Sequence, residues 1–266
     1  MNPIFPAWDA HAHVFAGALR AGSHYAPADH TLTMWREVAA PNGFDRVVLV
    51  QPSVYGADNS VMLNVLRDSG GVHRGIAVVN ADVTQTALEE MHMAGVRGVR
   101  FNLVSPMGND AADIDAVIAR IRPLGWHVQF FLRPAQYRWV RDRQLDWGVP
   151  IVLDHLAGMR FDHRGQADIE TLFVLGDQGA WIKASGYYRL GMQAPFDDVD
   201  AMIERLHKRF AGRMVWGSDW PHTWYMEDSR GGAPPFEALL APLLRVFRDE
   251  SLRRSILNEA PARLYQ

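Results

Sequence analysis

Eight short runs of apolar and β-branched residues alternate with longer amphipathic stretches, and this alternation restricts the fold more than any other feature. Strands that alternate with helical segments form a parallel sheet, and eight such units favour a closed barrel. The predicted strands are Phe5–Val14, Arg46–Ser53, Arg74–Asn80, Val96–Val104, His127–Leu132, Pro150–His155, Trp181–Ser185 and Met214–Asp219. The sequence therefore predicts one domain over residues 1–266, an α/β protein with a (β/α)8 TIM-barrel fold.

The composition excludes several classes of protein. A net charge of −3 provides no basic field for nucleic acid. The chain has no cysteine, so disulfides, thiolate catalysis and cysteine-bound metals are ruled out. The sequence contains neither a secretion signal nor an apolar run of the ~20 residues that a membrane span needs. We expect a cytoplasmic protein without a membrane or nucleic-acid partner, with homo-oligomerisation left open.

Histidines and carboxylates stand at the predicted strand ends, where barrel enzymes carry their catalytic groups. His11 and His13 are two residues apart, so both imidazoles can face the barrel mouth. Asp9 is expected on the same face but deeper, as a structural group. Neighbouring side chains on a strand point to opposite faces, so of Asp154 and His155 we expect only His155 to enter the mouth.

Further polar residues follow the remaining strands. Asp219 ends strand eight, where a carboxylate can act as general base or metal ligand. Arg100 and Asn102 share one face of strand four, and the guanidinium needs either an anionic ligand or an internal carboxylate. Ser53 could bind a ligand or cap a turn. Lys183 could form a Schiff base, but the sequence places nothing nearby that would lower its pKa.

Several motifs together carry a resemblance to a known family. They are Trp-Asp-Ala-His-Ala-His at 8–13, Asp-His at 154–155, Trp-Gly-Ser-Asp-Trp-Pro-His at 216–222 and Pro-Ala-Arg-Leu-Tyr at 261–265. In this order they resemble the amidohydrolase superfamily, in its second branch. The stretches Gln-Pro-Ser-Val-Tyr-Gly-Ala-Asp-Asn at 51–59 and Gly-Val-Arg-Gly-Val-Arg-Phe-Asn at 95–102 are similar to the group of 2-pyrone-4,6-dicarboxylate and sugar lactonases.

The resemblance implies hydrolysis at a carbonyl or phosphoryl centre, usually with one or two divalent metals. Binuclear members have a carboxylated lysine on strand four and a histidine on strand five, where this chain has Arg100, Asn102, Gln129 and Phe131. The resemblance therefore implies either no required cofactor or one Zn or Mn ion. The candidate ligands of that ion are His11, His13, Asp219 and His155.

The resemblance also transfers residue by residue. The positions that match substrate or catalytic groups of the lactonases are Tyr25, Ser53, Arg100, His155, Arg189, Asp219 and His222. Other expected groups are absent or displaced. Ser-Pro-Met at 105–107 replaces a second arginine, Phe130 or Phe131 replaces a tyrosine, and Arg160 is the nearest match to an arginine after strand six. The site is thus expected to lack one of the two anion-binding groups that a dicarboxylate needs.

The expected activity is hydrolysis of a small anionic lactone. In this hypothesis Asp219 activates water and His11, His13 and His155 polarise the carbonyl. The substrate would be bound by Tyr25, Ser53, Arg100, Asn102, Arg189 and His222. Sugar-lactone isomerisation, metal-dependent decarboxylation, Schiff-base chemistry and a barrel that only binds a ligand are the alternatives.

Overall fold

A computed structural model shows eight parallel strands that are hydrogen-bonded in the order of the chain. It describes residues 5–19, 21, 23, 25–105, 110–159, 166–227 and 232–266. The strands are β1 (Ala7–Ala12), β2 (Phe44–Val50), β3 (Arg74–Ala77), β4 (Val96–Asn102), β5 (His127–Phe131), β6 (Ile151–Leu153), β7 (Trp181–Ala184) and β8 (Met214–Trp216). All eight predicted strands and the barrel are confirmed.

The helices follow the strands and cover the outside of the barrel. Within the described ranges they are α1 (Leu32–Ala39), α2 (Ser60–Asp68), α3 (Gln85–Ala94), α4 (Ile114–Ile121), α5 (Tyr137–Arg141), α6 (Gln144–Trp147), α7 (Gln166–Asp177), α8 (Asp200–Phe210), α9 (Thr223–Glu227), α10 (Phe236–Val246), α11 (Glu250–Arg254) and α12 (Ala260–Tyr265). Their apolar faces form one large core against the sheet, while a smaller apolar cluster fills the barrel interior. Among these helices, none combines the length and apolarity needed to cross a membrane.

All eight strands end one to three residues earlier than the sequence predicts, and at β6 and β8 the difference involves a candidate site residue. β6 ends at Leu153 and β8 at Trp216, whereas the predicted strands continue to His155 and Asp219. The φ angles of His155 and Asp219 are 51° and 60°. This left-handed backbone cannot continue a strand, and residues other than glycine adopt it at an energetic cost. The two candidate site residues therefore lie in turns just beyond the strands.

A one-residue bulge in β1 decides which of its side chains enter the barrel. Between Asp9 and Ala12 the strand advances three residues while β2 advances two. The extra residue reverses the alternation of faces before His11. Asp9 consequently faces the surrounding helices, where its Oδ2 accepts a hydrogen bond of 2.9 Å from the indole N–H of Trp35. The prediction that Asp9 shares a face with His11 is wrong because of this bulge.

Asp9 also joins the first strand to the segment that follows the last. Its Oδ1 accepts a hydrogen bond of 2.8 Å from the backbone N–H of Ser218, and its Oδ2 accepts one of 2.6 Å from the Ser218 hydroxyl. Next to this contact, the backbone N–H of Asp219 donates to the carbonyl oxygen of His11 at 2.8 Å. These bonds close the barrel between β1 and β8 and fix the positions of the residues at its mouth.

We expect Asp9→Ala to lower the free energy of unfolding by about 3–5 kcal/mol, because it leaves several buried donors without an acceptor. Asp115→Ala is the matched control. Asp115 also accepts an indole hydrogen bond, from Trp147 at 2.7 Å, but from an exposed position. Its loss should cost about 1 kcal/mol or less. Urea unfolding followed by circular dichroism measures both, and equal losses would contradict the closing role of Asp9.

Candidate active site

A cavity of about 250 Å³ opens at the carboxyl ends of the strands. The described residues that line it are His13, Tyr25, Pro52, Ser53, Arg100, Asn102, Val104, Ser105, Phe131, Leu132, Arg133, Gly158, Arg189, Thr223 and Trp224. Three of them are arginines, and none of these lining residues is an aspartate or glutamate. A wall of this composition attracts anionic ligands.

Most of the residues predicted for the site come together here. The predicted residues on the cavity wall are His13, Tyr25, Ser53, Arg100, Asn102 and Arg189. His11, His155 and Asp219 are fully buried and are in contact with one another or with His13. His222 does not line the cavity: its ring lies behind the wall, edge-on to Tyr188 at 6.0 Å.

Asp219 Oδ1 faces the nitrogens of two histidines. It lies 3.4 Å from His13 Nε2 and 3.7 Å from His11 Nε2. His13 Nδ1 is 2.7 Å from the backbone carbonyl oxygen of Val50, an acceptor, so Nδ1 carries the proton. In the neutral ring His13 Nε2 therefore carries a lone pair, which is directed at the carboxylate of Asp219.

The same conclusion holds for His11, on a count of hydrogens. Lys183 Nζ donates to the carbonyl oxygen of Ala10 at 2.9 Å and to Gln129 Oε1 at 2.7 Å, which leaves one hydrogen. Asp154 Oδ1 lies 3.5 Å from both Lys183 Nζ and His11 Nδ1. In the other tautomer the third hydrogen of Lys183 would be donated to His11 Nδ1, which lies 3.4 Å from Nζ. We assign the proton of His11 to Nδ1 because Asp154 Oδ1 has no other donor among the described residues, and both nitrogens can then donate to it. His11 Nε2 then also carries a lone pair that faces Asp219 Oδ1.

These three atoms have the arrangement of a site for one divalent cation. His11 Nε2 and Asp219 Oδ1 are buried and have no hydrogen-bond partner among the described residues. Ligand atoms of a tetrahedral zinc site are about 3.3–3.6 Å apart, close to the 3.4 and 3.7 Å found here. His11, His13 and Asp219 thus fit a single ion. His155 is grouped with His11 and Asp154 instead, where the ammonium of Lys183 opposes a cation.

The other oxygen of Asp219 is already bound. Asp219 Oδ2 accepts hydrogen bonds of 2.6 Å from the hydroxyl of Tyr188 and of 2.6 Å from Arg189 Nε. Burial by itself would raise the pKa of Asp219, but Arg189 and the neighbouring histidines outweigh it and lower the pKa well below its usual value. Asp219 is therefore ionised, and only its Oδ1 is available to a proton or a cation.

Asp154 enters the barrel together with His155, contrary to the prediction that only one would. Alternation of faces stops at the end of β6, because His155 has a positive φ angle. Asp154 Oδ2 accepts hydrogen bonds of 2.9 Å from Arg100 Nε and 3.0 Å from Gln129 Nε2. Of the two partners considered for Arg100, the structure contains the internal carboxylate, although Arg100 also lines the cavity.

Lys183 does not have the environment that the sequence suggested. It is fully buried beneath His11 and Asp154, and burial lowers its pKa to about 8, against the opposing effect of Asp154. The expectation that nothing lowers this pKa was wrong. Lys183 is nevertheless bonded on all sides and does not line the cavity, so it does not have the access to substrate that Schiff-base chemistry requires.

His155 is held neutral beside the candidate cation site. Its Nδ1 lies 3.0 Å from the hydroxyl oxygen of Ser185, and its ring is edge-on to Phe131 at 4.8 Å. Burial lowers the pKa of His155 to about 3. If the Ser185 hydroxyl donates to Nδ1, then Nε2 carries the proton and can donate to a ligand. A side chain at Gly186 would exclude this arrangement, since a Cβ there would lie 2.5 Å from His155 Nδ1.

Three functional candidates were missed by the sequence analysis. Asp154 was rejected on strand phase, and Tyr188 has no sequence signal beyond its place before Arg189. Arg133 lines the cavity two residues after the end of β5. The strand-end rule could have found Arg133, because it was applied to the other strands. Arg160, named as a displaced match, lies outside the described residues.

The chain is similar to several known proteins over most of its length. A family model described as amidohydrolase matches residues 8–266. The chain is 30% identical over 280 residues to the 2-pyrone-4,6-dicarboxylate hydrolase of Comamonas testosteroni, covering 97% of this chain and 90% of that protein. It is 27% identical over 296 residues to the D-galactarolactone isomerase of Agrobacterium fabrum, covering 100% and 93%. The crystal structure of a probable 2-pyrone-4,6-dicarboxylic acid hydrolase from Acinetobacter baumannii, with citric acid bound, superposes with a TM-score of 0.84 at 26% identity, covering 98% and 99%.

We expect this site to hold one divalent ion and no second. Titration with Co²⁺, followed by its visible absorption, should saturate at about one equivalent per chain, because the three ligand atoms form one coordination set. Asp219→Asn should abolish the signal, while His207→Gln, on α8, should leave it unchanged. Saturation at two equivalents, or a signal that survives in Asp219→Asn, would contradict the assignment.

Proposed function

This chain belongs to the amidohydrolase family, and from that premise we propose that it hydrolyses a small anionic lactone at the cavity described above. The observation that carries the proposal is Asp219 Oδ1, a buried carboxylate oxygen that is free of hydrogen bonds within the described structure. It lies beneath a cavity that is lined by three arginines and by no aspartate or glutamate among the described lining residues. Asp219 could activate water for attack on a lactone, and the arginines around the cavity would bind a substrate that carries negative charge. The similarity to the hydrolase of Comamonas testosteroni supports hydrolysis, whereas the isomerase of Agrobacterium fabrum supports a lactone substrate but a different reaction.

Hydrolysis needs a base, a water molecule and a group that polarises the carbonyl. Asp219 Oδ1 takes a proton from water as the oxygen of that water attacks the lactone carbonyl carbon. His155 Nε2–H donates to the carbonyl oxygen, on which negative charge develops. The ring C–O bond then breaks, and Asp219 returns the proton to the leaving oxygen. Each positioned donor of this kind contributes about 3–4 kcal/mol when measured by removal.

His11 and His13 present lone pairs to this site, so in their neutral forms they do not donate to the developing oxyanion. With Asp219 they would hold a divalent ion, which supplies Lewis-acid polarisation of the carbonyl when bound. Their own contribution is to hold two nitrogens at 3.4 and 3.7 Å from Asp219 Oδ1. The sequence predicted that His11 and His13 polarise the lactone carbonyl directly. In their neutral forms they can instead coordinate a metal ion.

Arg189 connects substrate binding to the strength of the base. A carboxylate with a pKa far below the working pH is a weak base, and Arg189 is the main cause of that low pKa. Arg189 also lines the cavity, where an anionic substrate would share its charge. Binding of the substrate would therefore raise the pKa of Asp219 at the moment when a base is needed. Arg100, Asn102, Ser53 and Tyr25 complete the proposed binding surface. The cytoplasmic location remains a prediction.

The proposal is tested with 2-pyrone-4,6-dicarboxylate and other carboxylated lactones in ¹⁸O-labelled water. Hydrolysis should place one labelled oxygen in the new carboxylate, whereas isomerisation consumes no water and incorporates none. Asp219→Asn should lower kcat by about 10²–10⁴-fold, the contribution of a general base, with an unchanged circular dichroism spectrum. Asp115→Asn, an exposed carboxylate on α4, is the control. Unlabelled product, or full turnover by Asp219→Asn, would reject the proposed reaction.

Arg189→Met should move the acidic limb of the kcat/KM profile to higher pH by about one to three units. Removal of the guanidinium raises the pKa of Asp219, so the carboxylate is protonated, and the base lost, at a higher pH than in the wild type. Arg189→Lys retains the charge and should keep the limb close to its original position. The profile is measured from pH 4 to pH 9, and an unchanged limb in Arg189→Met would show that Arg189 does not set the pKa of the base.

A further inference from the structure

The three arginines that line the cavity differ in their partners. Arg100 Nε is bonded to the buried carboxylate of Asp154 at 2.9 Å, and Arg189 Nε to that of Asp219 at 2.6 Å. Arg133 makes no side-chain hydrogen bond or ion pair to any residue in the described ranges. Its side chain is exposed at the cavity rim. The cavity therefore has one arginine whose charge the described residues do not balance.

The backbone of Arg133 is held in place although its side chain is exposed. Its N–H donates to Gln136 Oε1 at 2.8 Å, and its carbonyl oxygen accepts from the backbone N–H of Gln136 at 2.9 Å. The preceding carbonyl, of Leu132, lies against Gly158, where a Cβ would approach to 2.1 Å. The turn after β6 thus packs directly on this segment. Because the backbone is already fixed, an anion bound by Arg133 would have to order only the arginine side chain.

Asn102, another residue of the cavity wall, is also suited to anions. Asn102 Oδ1 accepts hydrogen bonds from the backbone N–H groups of Val104 at 3.2 Å and Ser105 at 3.0 Å. Its oxygen is therefore occupied, and the amide N–H₂ is the end left for a ligand. Because no carboxylate lines the described cavity, a second anionic group would meet only donors and cations there.

We propose that Arg133 forms a second anion-binding subsite, so that the cavity accepts a lactone with two anionic groups. Arg100 binds the group nearer the buried carboxylates, and Arg133 binds the outer group at the rim. This inference rests on the proposed function, because it concerns the substrate of that reaction. The proposal also revises the expectation that the site lacks one anion-binding group. Arg133, after β5, would supply the positive charge that is missing where Ser-Pro-Met at 105–107 replaces an arginine.

Binding of unreactive ring acids tests the subsite without turnover. The probes are pyridine-2,4-dicarboxylate and pyridine-2-carboxylate, each titrated into the wild type and Arg133→Gln by calorimetry. The wild type should prefer the dicarboxylate, and Arg133→Gln should lower the affinity for it by about tenfold, the effect of one charge-assisted contact. The affinity for the monocarboxylate should change by less than about twofold. Arg138→Gln, an exposed arginine of α5 that does not line the cavity, is the matched control.

The subsite is rejected if the wild type has no preference for the dicarboxylate, or if Arg133→Gln weakens both probes equally or neither. A matching loss in Arg138→Gln would attribute the effect to general surface charge and also reject it. Turnover distinguishes this failure from failure of the proposed function. Arg133-dependent binding without hydrolysis of any lactone would reject the function alone, whereas hydrolysis without Arg133-dependent binding would reject the subsite alone.

Discussion

The fully buried carboxylate of Asp154 is the interaction on which the organisation of the site depends. It is bonded to Arg100 on β4 and Gln129 on β5, and it lies 3.5 Å from Lys183 on β7 and His11 on β1. Four strands thus meet at one charge. A carboxylate in this position is stable only because its partners compensate the lost hydration, and removal of one partner of such a pair typically costs 3–5 kcal/mol. The same contacts aim Arg100 at the cavity and fix the proton of His11 on Nδ1.

A second buried carboxylate, Asp219, repeats this pattern closer to the cavity. One of its oxygens binds Tyr188 and Arg189, and the other faces the two histidine lone pairs. Because Oδ2 is occupied, Oδ1 is the oxygen of Asp219 that is available to react, and its direction is fixed. Because Asp154 fixes His11 and His11 faces Asp219, the two carboxylates act in series. His11 therefore has a carboxylate at each of its ring nitrogens.

Most of the fold and part of the site could be predicted from the sequence. Apolar runs specify strands because a parallel strand is covered on both faces, and that signal located all eight. Side-chain direction was less predictable. A prediction of side-chain direction from the position along a strand assumes regular pleating. It failed at the β1 bulge, which turns Asp9 outward. It also failed at His155, whose positive φ angle allows Asp154 to enter the barrel. The β1 bulge is accompanied by a contact between distant segments, that of Asp9 with Ser218, which no local sequence pattern encodes.

The same irregularities explain how one barrel end brings so many charged groups together. Regular strands would place successive residues alternately inside and outside, which limits each strand to one group per layer. The bulge in β1 and the left-handed turns after β6 and β8 break that limit, so that His11, Asp154, His155 and Asp219 all face inward within a few ångströms. Left-handed backbone at residues other than glycine costs free energy, and the buried hydrogen bonds to Asp154 and Asp219 offset it. The turns and the buried charges are therefore linked, because the left-handed turns position the carboxylates that accept these hydrogen bonds.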